Sequence, residues 1–158
     1  MMATISAGIL LYRQRTAGTE VLLVHPGGPF WAKKDEAGWS IPKGITEPGE
    51  DHAEAARREF AEEVGPLPAG ELMPLGNFRQ SGGKIIVAFA LEGDFDPALL
   101  KSNLIEIDWP PRSGRKLTVP EVDRAAWFDL PTAAWKLHLG QRPILGAYLS
   151  KAIGPRAP

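Results

Sequence analysis

The chain has 158 residues and a net charge of −1, a length that predicts one domain over residues 1–158 with a sizeable core. Its balanced charge provides no basic field for nucleic acid or for a membrane surface, so we expect neither as a partner. The chain contains no cysteine, which excludes disulfides and thiolate metal sites and is compatible with the reducing cytoplasm, the location that we expect.

Two strands are predicted at the beginning of the chain. Residues 5–12 and 20–25 are apolar runs, and the polar residues 13–19 between them favour a hairpin or two neighbouring strands. The first run is far too short to span a bilayer and lacks the flanks of a secretion signal. A charged loop is predicted at residues 30–38, and a short strand at residues 39–41.

Residues 44–65, GITEPGEDHAEAARREFAEEVG, predict a loop followed by a helix with two distinct faces. Asp51 with Glu54 three residues later is typical of a helix N-terminus, and Gly65 before a proline is typical of a helix end. At about 100° of rotation per residue, one face is apolar and must lie against a core. Its residues are Ala53, Ala56, Phe60 and Val64. Three carboxylates, Glu59, Glu62 and Glu63, fall within an arc of about 100° away from that face.

The three carboxylates need an explanation, because like charges at i,i+4 spacing destabilise an isolated helix by ~0.2–0.5 kcal/mol per pair. On an ordinary surface helix, ion pairs with an arginine such as Arg58 would account for them. Here a loop rich in glycine and proline precedes the helix and can turn a backbone carbonyl toward the acidic side chains. We therefore favour a hard divalent cation, which takes oxygen ligands.

The second half of the chain predicts further strands and two final helices. Residues 72–80 and 84–92 flank Ser81-Gly82-Gly83 and indicate a hairpin. Alternation over residues 103–109 predicts a half-buried strand. A basic loop, a last strand and two helices are then predicted at residues 110–120, 125–130, 132–139 and 144–152. Strands on both sides of a packed helix, with helices at the end, favour an α/β sandwich around a mixed sheet.

The acidic segment resembles the signature box of the Nudix hydrolases. Gly44, Glu50 and the run REFAEEVG at residues 58–65 stand at the spacing of that signature. The one departure, Pro66 in place of a bulky aliphatic residue, lies past the predicted helix end. The resemblance implies a Nudix-type α/β/α sandwich around a mixed β-sheet and hydrolysis of a phosphoanhydride bond with Mg²⁺, or Mn²⁺, as cofactor.

The resemblance also implies roles for the residues of the box. It makes Glu59, Glu62 and Glu63 metal ligands together with the backbone carbonyl of Lys43, and lets Glu59 or Glu63 orient the attacking water. It gives structural roles to Gly44, Glu50, Arg58 and Gly65. Some members of the family take a general base from a glutamate outside the box, and Glu121 is the candidate here, an ordinary loop acid being the alternative.

Substrate contacts are expected from basic and aromatic side chains. Flexible cations suit a polyphosphate chain, and the candidates are Lys43, Arg79, Arg112, Arg115 and Lys116, although a solvated loop would also explain the last three. Trp39 and Trp109 are candidates for stacking on a base, with a place in the core as the alternative.

The expected partner is a small-molecule nucleotide. The entry WSIPKG and residues 121–130 are similar to the corresponding parts of dinucleoside polyphosphate hydrolases, and the segments HPGGPFWAKKD and DWPPRSGRK resemble a bacterial subgroup of predicted nucleotide pyrophosphohydrolases. We therefore expect a dinucleoside polyphosphate or a nucleoside triphosphate as substrate. ADP-ribose or another nucleotide sugar is the alternative substrate, and a non-catalytic nucleotide sensor is the alternative of another class. A homodimer is a further expectation, with internal packing of edge strands and C-terminal apolar residues as its alternative.

Overall fold

A mixed sheet of six strands forms the centre of this computed structural model, which describes residues 4–153. Residues 1–3 and 154–158 of the predicted domain lie outside the described residues. The described strands are β1 (Thr4–Arg15), β2 (Gly18–Pro26), β3 (Lys43–Ile45), β4 (Met73–Arg79), β5 (Lys84–Glu92), β6 (Leu104–Asp108), β7 (Lys116–Pro120) and β8 (Val122–Asp129). The large sheet has the order β4-β5-β1-β2-β8, with β3 beside β1. Strand β1 runs parallel to β5, and the other pairs in this sheet are antiparallel.

Helices cover both faces of the large sheet. Helix α1 (His52–Glu63) packs on one face, and helices α2 (Leu130–Lys136) and α3 (Arg142–Ile153) pack on the other. Ile9 and Leu11 point into the core under α1, whereas Leu10 points into the opposite core. Because both faces are buried, the apolar residues of β1 form a continuous run rather than an alternating one. The predicted α/β/α sandwich around a mixed sheet is confirmed.

The predicted signals at the two ends of α1 are present in the structure. The Asp51 carboxylate accepts a hydrogen bond from the Glu54 N–H at 3.1 Å. At the other end, the N–H groups of Val64 and Gly65 both donate to the Phe60 carbonyl. Gly65 has φ +146°, a conformation that favours glycine after a helix.

The strand at the entry to the box lies later than predicted. Trp39 and Ser40 make only isolated bridges, to Leu137 and Val24, and the strand is β3, which begins at Lys43. The physical reason is Pro42, which has no N–H to donate. Its carbonyl accepts a hydrogen bond from the Ile9 N–H at 3.0 Å, so regular pairing with β1 starts only after the proline.

The predicted basic loop at residues 110–120 is wrong in its second half. Strand β7 pairs there with β6 as a separate two-stranded sheet, from Leu104 opposite Pro120 to Asp108 opposite Lys116. Strand β6 is mostly exposed rather than half-buried. Strand β7 was not predicted because basic residues and prolines in and around Lys116–Pro120 obscure its alternation of apolar and polar residues. Strand β6 is exposed because a two-stranded sheet that stands apart from the large sheet leaves much of its apolar surface uncovered.

The last strand and the final helices are also shifted. Strand β8 begins at Val122, before the predicted 125, and α2 begins at Leu130, where the Asp129 side chain caps it through the Thr132 N–H at 2.8 Å. Helix α3 contains the predicted 144–152. No helix within residues 4–153 is both long and apolar enough to cross a membrane.

Candidate active site

The three carboxylates of α1 lie in different environments. The Glu62 side chain is 46 % exposed, the Glu59 side chain is 13 % exposed, and Glu63 is 6 % exposed. The predicted acidic face is therefore not uniformly solvated, because Glu63 is buried at its border with the core. The C-terminal half of α1 therefore carries one buried acid, Glu63, and one partly buried acid, Glu59.

Strand β3 passes directly over the Glu59 carboxylate. A Cβ atom added to Gly44 would lie 1.8 Å from Glu59 Oε2 and 2.0 Å from Cδ. A side chain at position 44 would displace the Glu59 carboxylate, so the observed position of this carboxylate against β3 requires glycine. The loop before α1 and the acidic end of α1 are thereby packed as one unit.

Arg58 connects that loop with the acidic side chains. Its guanidinium donates two hydrogen bonds to Glu50, from Nε at 2.8 Å and from Nη2 at 2.9 Å. Its Nη1 also donates to Glu59 at 2.8 Å and to Glu62 at 3.2 Å. The Arg58 hydrogen bonds lower the pKa of Glu50 to about 2, assisted by the Glu47 N–H. The two-pronged pair is the geometry that suits arginine and carboxylate, and it holds the loop against the helix.

Glu63 is the most perturbed acid of the group. Burial raises its pKa to about 8, with a further contribution from the negative charge of Glu121, while the Lys43 charge opposes the shift. Its Oε2 atom is buried and has no hydrogen-bond partner. Without a cation, the Glu63 carboxyl is therefore neutral below about pH 8.

Glu59 and Glu121 belong to the same electrostatic cluster. Burial raises the pKa of Glu59, and the Arg58 guanidinium partly offsets the shift, while the charges of Glu62 and Glu121 add to it. Glu121 lies between β7 and β8, where its N–H donates to the Asn103 carbonyl at 2.8 Å. The structure thus brings Glu121, distant in sequence, close to Glu59 and Glu63.

Gly27 fixes the chain at Glu121. Its N–H donates to the Glu121 carbonyl at 3.1 Å. A Cβ atom on Gly27 would lie 1.9 Å from the Pro120 carbonyl oxygen, so this crossing of two loops also requires glycine. The loop after β2 therefore determines where Glu121 stands relative to the acidic cluster.

The cluster has the chemistry of a divalent-cation site. The buried Glu63 and the partly buried Glu59 both have raised pKa values, and one Glu63 oxygen has no hydrogen-bond partner, so a positive charge among these carboxylates would stabilise them. In this conformation, no three acidic, histidine or cysteine side chains within residues 4–153 converge closely enough to hold an ion. Glu62 accounts for part of this, because it turns toward Arg58.

A cleft with a volume of about 790 Å³ lies beside the cluster. Lys43, Lys84, Gln80, His138 and Trp31 are among its lining residues. Lys43, a predicted phosphate contact, is one of these lining residues. Arg79 is exposed at the end of β4 and is not part of the lining. Lys84, five residues later, provides the second cation of the cleft, which the sequence prediction missed.

A smaller, mostly apolar pocket of about 310 Å³ lies on the other side of Trp31. We call it the aromatic pocket, and its lining includes Phe30, Trp31, Trp109, Pro26 and Glu121. It is formed between the loop after β2 and the hairpin of β6 and β7. The sequence predicted Trp109 but missed Phe30 and Trp31, for which two adjacent aromatic residues in a charged loop were the signal.

The structure argues against the prediction that Trp39 stacks on a base. Trp39 is 3 % exposed, and its ring packs edge-on against His25 and Phe128. Its Nε1 donates to Asp35 at 2.9 Å. Trp39 is part of the apolar core under α2 and α3, which is the alternative considered for it from the sequence.

The three basic residues of the hairpin differ in their surroundings. Lys116 pairs with Asp108 at 2.5 Å. Arg112 and Arg115 are exposed in the turn between β6 and β7, and no carboxylate of the described residues lies within 4 Å of either guanidinium. The two arginines are thus available to an anion, whereas Lys116 is already paired.

Comparisons with known proteins give a consistent result. A family model described as the NUDIX domain matches residues 2–148. The fold is similar to a crystal structure of a Caenorhabditis elegans Ap4A hydrolase binary complex, with a TM-score of 0.63 and 21 % identity over 97 % of this chain and 100 % of that chain. A mutT/nudix family protein from Listeria innocua is similar with a TM-score of 0.64 and 18 % identity, over 97 % of this chain and 96 % of that chain.

A longer relative also contains a similar region. The octanoyltransferase of Myxococcus xanthus is 32 % identical over 139 residues, which is 86 % of this chain and 33 % of that protein. The chain therefore spans about a third of the length of this relative. The two structural similarities, at their low identities, concern the fold alone.

Proposed function

The chain belongs to the Nudix hydrolase family, and we propose that it is a Mg²⁺-dependent pyrophosphohydrolase that acts on a dinucleoside polyphosphate or a nucleoside triphosphate. The observation that carries this proposal is the buried Glu63 carboxylate, whose Oε2 has no hydrogen-bond partner, near the partly buried Glu59. Ionisation of a carboxyl in this position is unfavourable unless a cation accompanies it.

Glu59 and Glu63 are the proposed principal ligands of Mg²⁺, with Mn²⁺ as the alternative ion. Glu62 is exposed and is held by one 3.2 Å contact with Arg58, so it can turn to join them, together with the Lys43 carbonyl. When bound, the cation would neutralise charge on the phosphate oxygens and lower the pKa of a coordinated water.

The other box residues position this cluster. The Arg58–Glu50 pair holds the loop of residues 45–50 against α1, and Gly44 lets β3 reach the Glu59 carboxylate. Since phosphoryl transfer depends mainly on positioning and on charge stabilisation, these contacts contribute to catalysis without touching the substrate.

Glu121 is the proposed general base. It is close enough to the cluster for its charge to raise the pKa of both Glu59 and Glu63, and it lines an open cavity. In this position its carboxylate can accept the proton of a water that attacks phosphorus, while the leaving phosphate departs on the opposite side.

The cleft is the proposed site of the nucleotide. Its volume of about 790 Å³ is in the range of ligand cavities, roughly 300–1,000 Å³. Lys43 and Lys84 can neutralise phosphates, and Arg112 and Arg115 can reach outer phosphates from the hairpin. A dinucleoside polyphosphate is proposed ahead of ADP-ribose because the segment WSIPKG and residues 121–130 are similar to the corresponding parts of dinucleoside polyphosphate hydrolases.

The proposal is tested with a panel of substrates. The protein is incubated with diadenosine polyphosphates, nucleoside triphosphates and ADP-ribose, with Mg²⁺ and with a chelator, and the products are separated by anion-exchange chromatography. We expect metal-dependent turnover that is fastest with a diadenosine polyphosphate. If ADP-ribose is cleaved faster than the diadenosine polyphosphates, the proposed substrate class is wrong and nucleotide sugars take its place. If the protein binds compounds of the panel but hydrolyses none of them, it is a nucleotide sensor.

A further inference from the structure

The aromatic pocket is not required by the fold. Its hairpin wall, β6 and β7, forms a separate two-stranded sheet outside the large one. Phe30 is 52 % exposed, and the Lys34 ammonium lies 4.0 Å from the centre of its ring. Neither buried core of the large sheet includes Phe30, Trp31 or Trp109. Aromatic side chains that line an open pocket without belonging to a core indicate a binding surface.

The pocket and the cleft flank the same acidic cluster. Trp31 lines both cavities. Lys43 lines the cleft next to Gly44, which lies against the Glu59 carboxylate, and Glu121, the proposed general base, lines the aromatic pocket. A ligand that extends from one cavity to the other would therefore contact Trp31 and would have residues of the proposed catalytic site on both sides.

The chemistry of the pocket suits a planar, neutral group. Its volume of about 310 Å³ is at the lower end of ligand cavities, roughly 300–1,000 Å³, so it holds one ring system rather than a whole nucleotide. Tryptophan and phenylalanine rings provide stacking surfaces for any base. Asp108 and Glu121 are the acidic members of the lining, and they disfavour a phosphate inside it.

We propose that the aromatic pocket binds the second nucleobase of a dinucleoside polyphosphate, with Trp109 as a stacking residue, while the first nucleotide occupies the cleft. This inference rests on the proposed function. It makes the aromatic pocket the part of the protein that distinguishes substrates with two bases from substrates with one base.

The experiment compares two substrates that differ in the second nucleoside, diadenosine tetraphosphate and adenosine 5′-tetraphosphate. Steady-state kinetics with Mg²⁺ are measured for the wild type, Trp109→Ala, Trp109→Phe and the control Trp135→Ala. Trp135 is 46 % exposed and lies on α2, outside the pocket. Thermal unfolding of each variant reports whether the fold is intact.

Stacking on an aromatic residue is worth ~1–3 kcal/mol per base, so we expect Trp109→Ala to raise KM for the two-base substrate about tenfold or more. The single-base substrate should change less than twofold, and Trp109→Phe should retain most of the wild-type affinity. The control should match the wild type with both substrates.

An equal effect of Trp109→Ala on both substrates, or no effect on either, would overturn the inference. If the wild type turns over neither substrate, the proposed function fails by itself. Calorimetric binding of the same pair to the same variants then decides the inference separately, since selective weakening of the two-base ligand supports it and equal affinities reject it.

Discussion

Glu63 occupies a position in which an acidic side chain is unfavourable in the absence of a cation. Its folded-state pKa of about 8 lies above the ordinary value of 4.5, so between these values the folded protein binds more protons than the unfolded chain. The free energy of unfolding of the metal-free protein therefore falls as the pH rises through this interval. Below about 4.5 the acid is neutral in both states and the penalty is absent.

The Glu63→Gln variant tests the effect of the Glu63 charge on stability. Without metal, we expect it to be more stable than the wild type by about 1–3 kcal/mol at pH 8.5, because it removes a buried charge, and equally stable at pH 4. Urea unfolding at the two pH values measures the difference. Glu62→Gln, at an exposed position, is the control and should show no such pH dependence. If Glu63→Gln is less stable than the wild type at pH 8.5, the buried charge of Glu63 does not destabilise the metal-free protein.

Gly44 offers a second test at a single residue. The Gly44→Ala substitution should displace the Glu59 carboxylate, because its Cβ would lie 1.8 Å from Oε2, and we expect kcat/KM to fall by about 100-fold, near 2.7 kcal/mol. Gly146→Ala is the control, since nothing lies within 4 Å of its added Cβ, and it should stabilise α3 by ~0.5–1 kcal/mol. Wild-type kinetics for Gly44→Ala would show that the position of Glu59 is unimportant.

At the scale of elements, α1 could be predicted well and its surroundings less well. Asp51, Phe60 and Gly65 act locally, through capping, helical periodicity and a positive φ, and each is visible in the sequence. The burial of Glu63 depends on β3 and on the loop at Glu121, which come from other parts of the chain. Periodicity along one helix carries no information about which element covers it.

The aromatic pocket could not be predicted for the same reason. Phe30 and Trp109 are nearly eighty positions apart, and the contact between their segments depends on the crossing at Gly27, whose N–H bonds the Glu121 carbonyl. Strand β7 was missed because its pairing with β6 is specified by the partner strand more than by its own composition. Trp39 is a further case, since its place in the core depends on His25 and Phe128, which come from other parts of the chain.

The loop of residues 26–38 carries one wall of the aromatic pocket, and His25 holds it in place. His25 is completely buried. Its Nε2 donates to the Lys34 carbonyl at 2.7 Å, and its Nδ1 lies 3.1 Å from Asp123 Oδ1. The His25 side chain thus connects the loop to Asp123 at the beginning of β8. Asp123 is two residues after Glu121.

The His25→Ala variant should loosen this loop. We expect a loss of about 2–4 kcal/mol in the free energy of unfolding, from the cavity that the deleted ring leaves and from the lost hydrogen bond to the Lys34 carbonyl, and faster amide exchange in residues 26–38. Urea unfolding and hydrogen exchange with mass spectrometry measure the two effects. His52→Ala is the control, because His52 is partly exposed. Unchanged exchange in the loop would show that other contacts hold it.

At the scale of the whole molecule, a sheet buried on both faces provides a rigid base for a site made of loops and one helix end. Glu59 and Glu63 come from α1, Lys43 from β3 and Glu121 from the connection of β7 to β8. Rigid elements hold the first three, and the crossing at Gly27 holds the fourth. Many enzymes carry their binding residues on loops that a rigid scaffold positions. In this protein the β6–β7 hairpin and the loop after β2 are the parts that would select the substrate.

The central claim is that the acidic cluster of α1 binds Mg²⁺ for phosphoanhydride hydrolysis. The most direct measurement is the initial rate of diadenosine tetraphosphate hydrolysis across a Mg²⁺ titration, with wild type and Glu63→Gln side by side. We predict a saturable Mg²⁺ dependence for the wild type and a loss of about 100-fold or more for the variant. A rate that persists in chelator, or a variant as fast as the wild type, would contradict the claim.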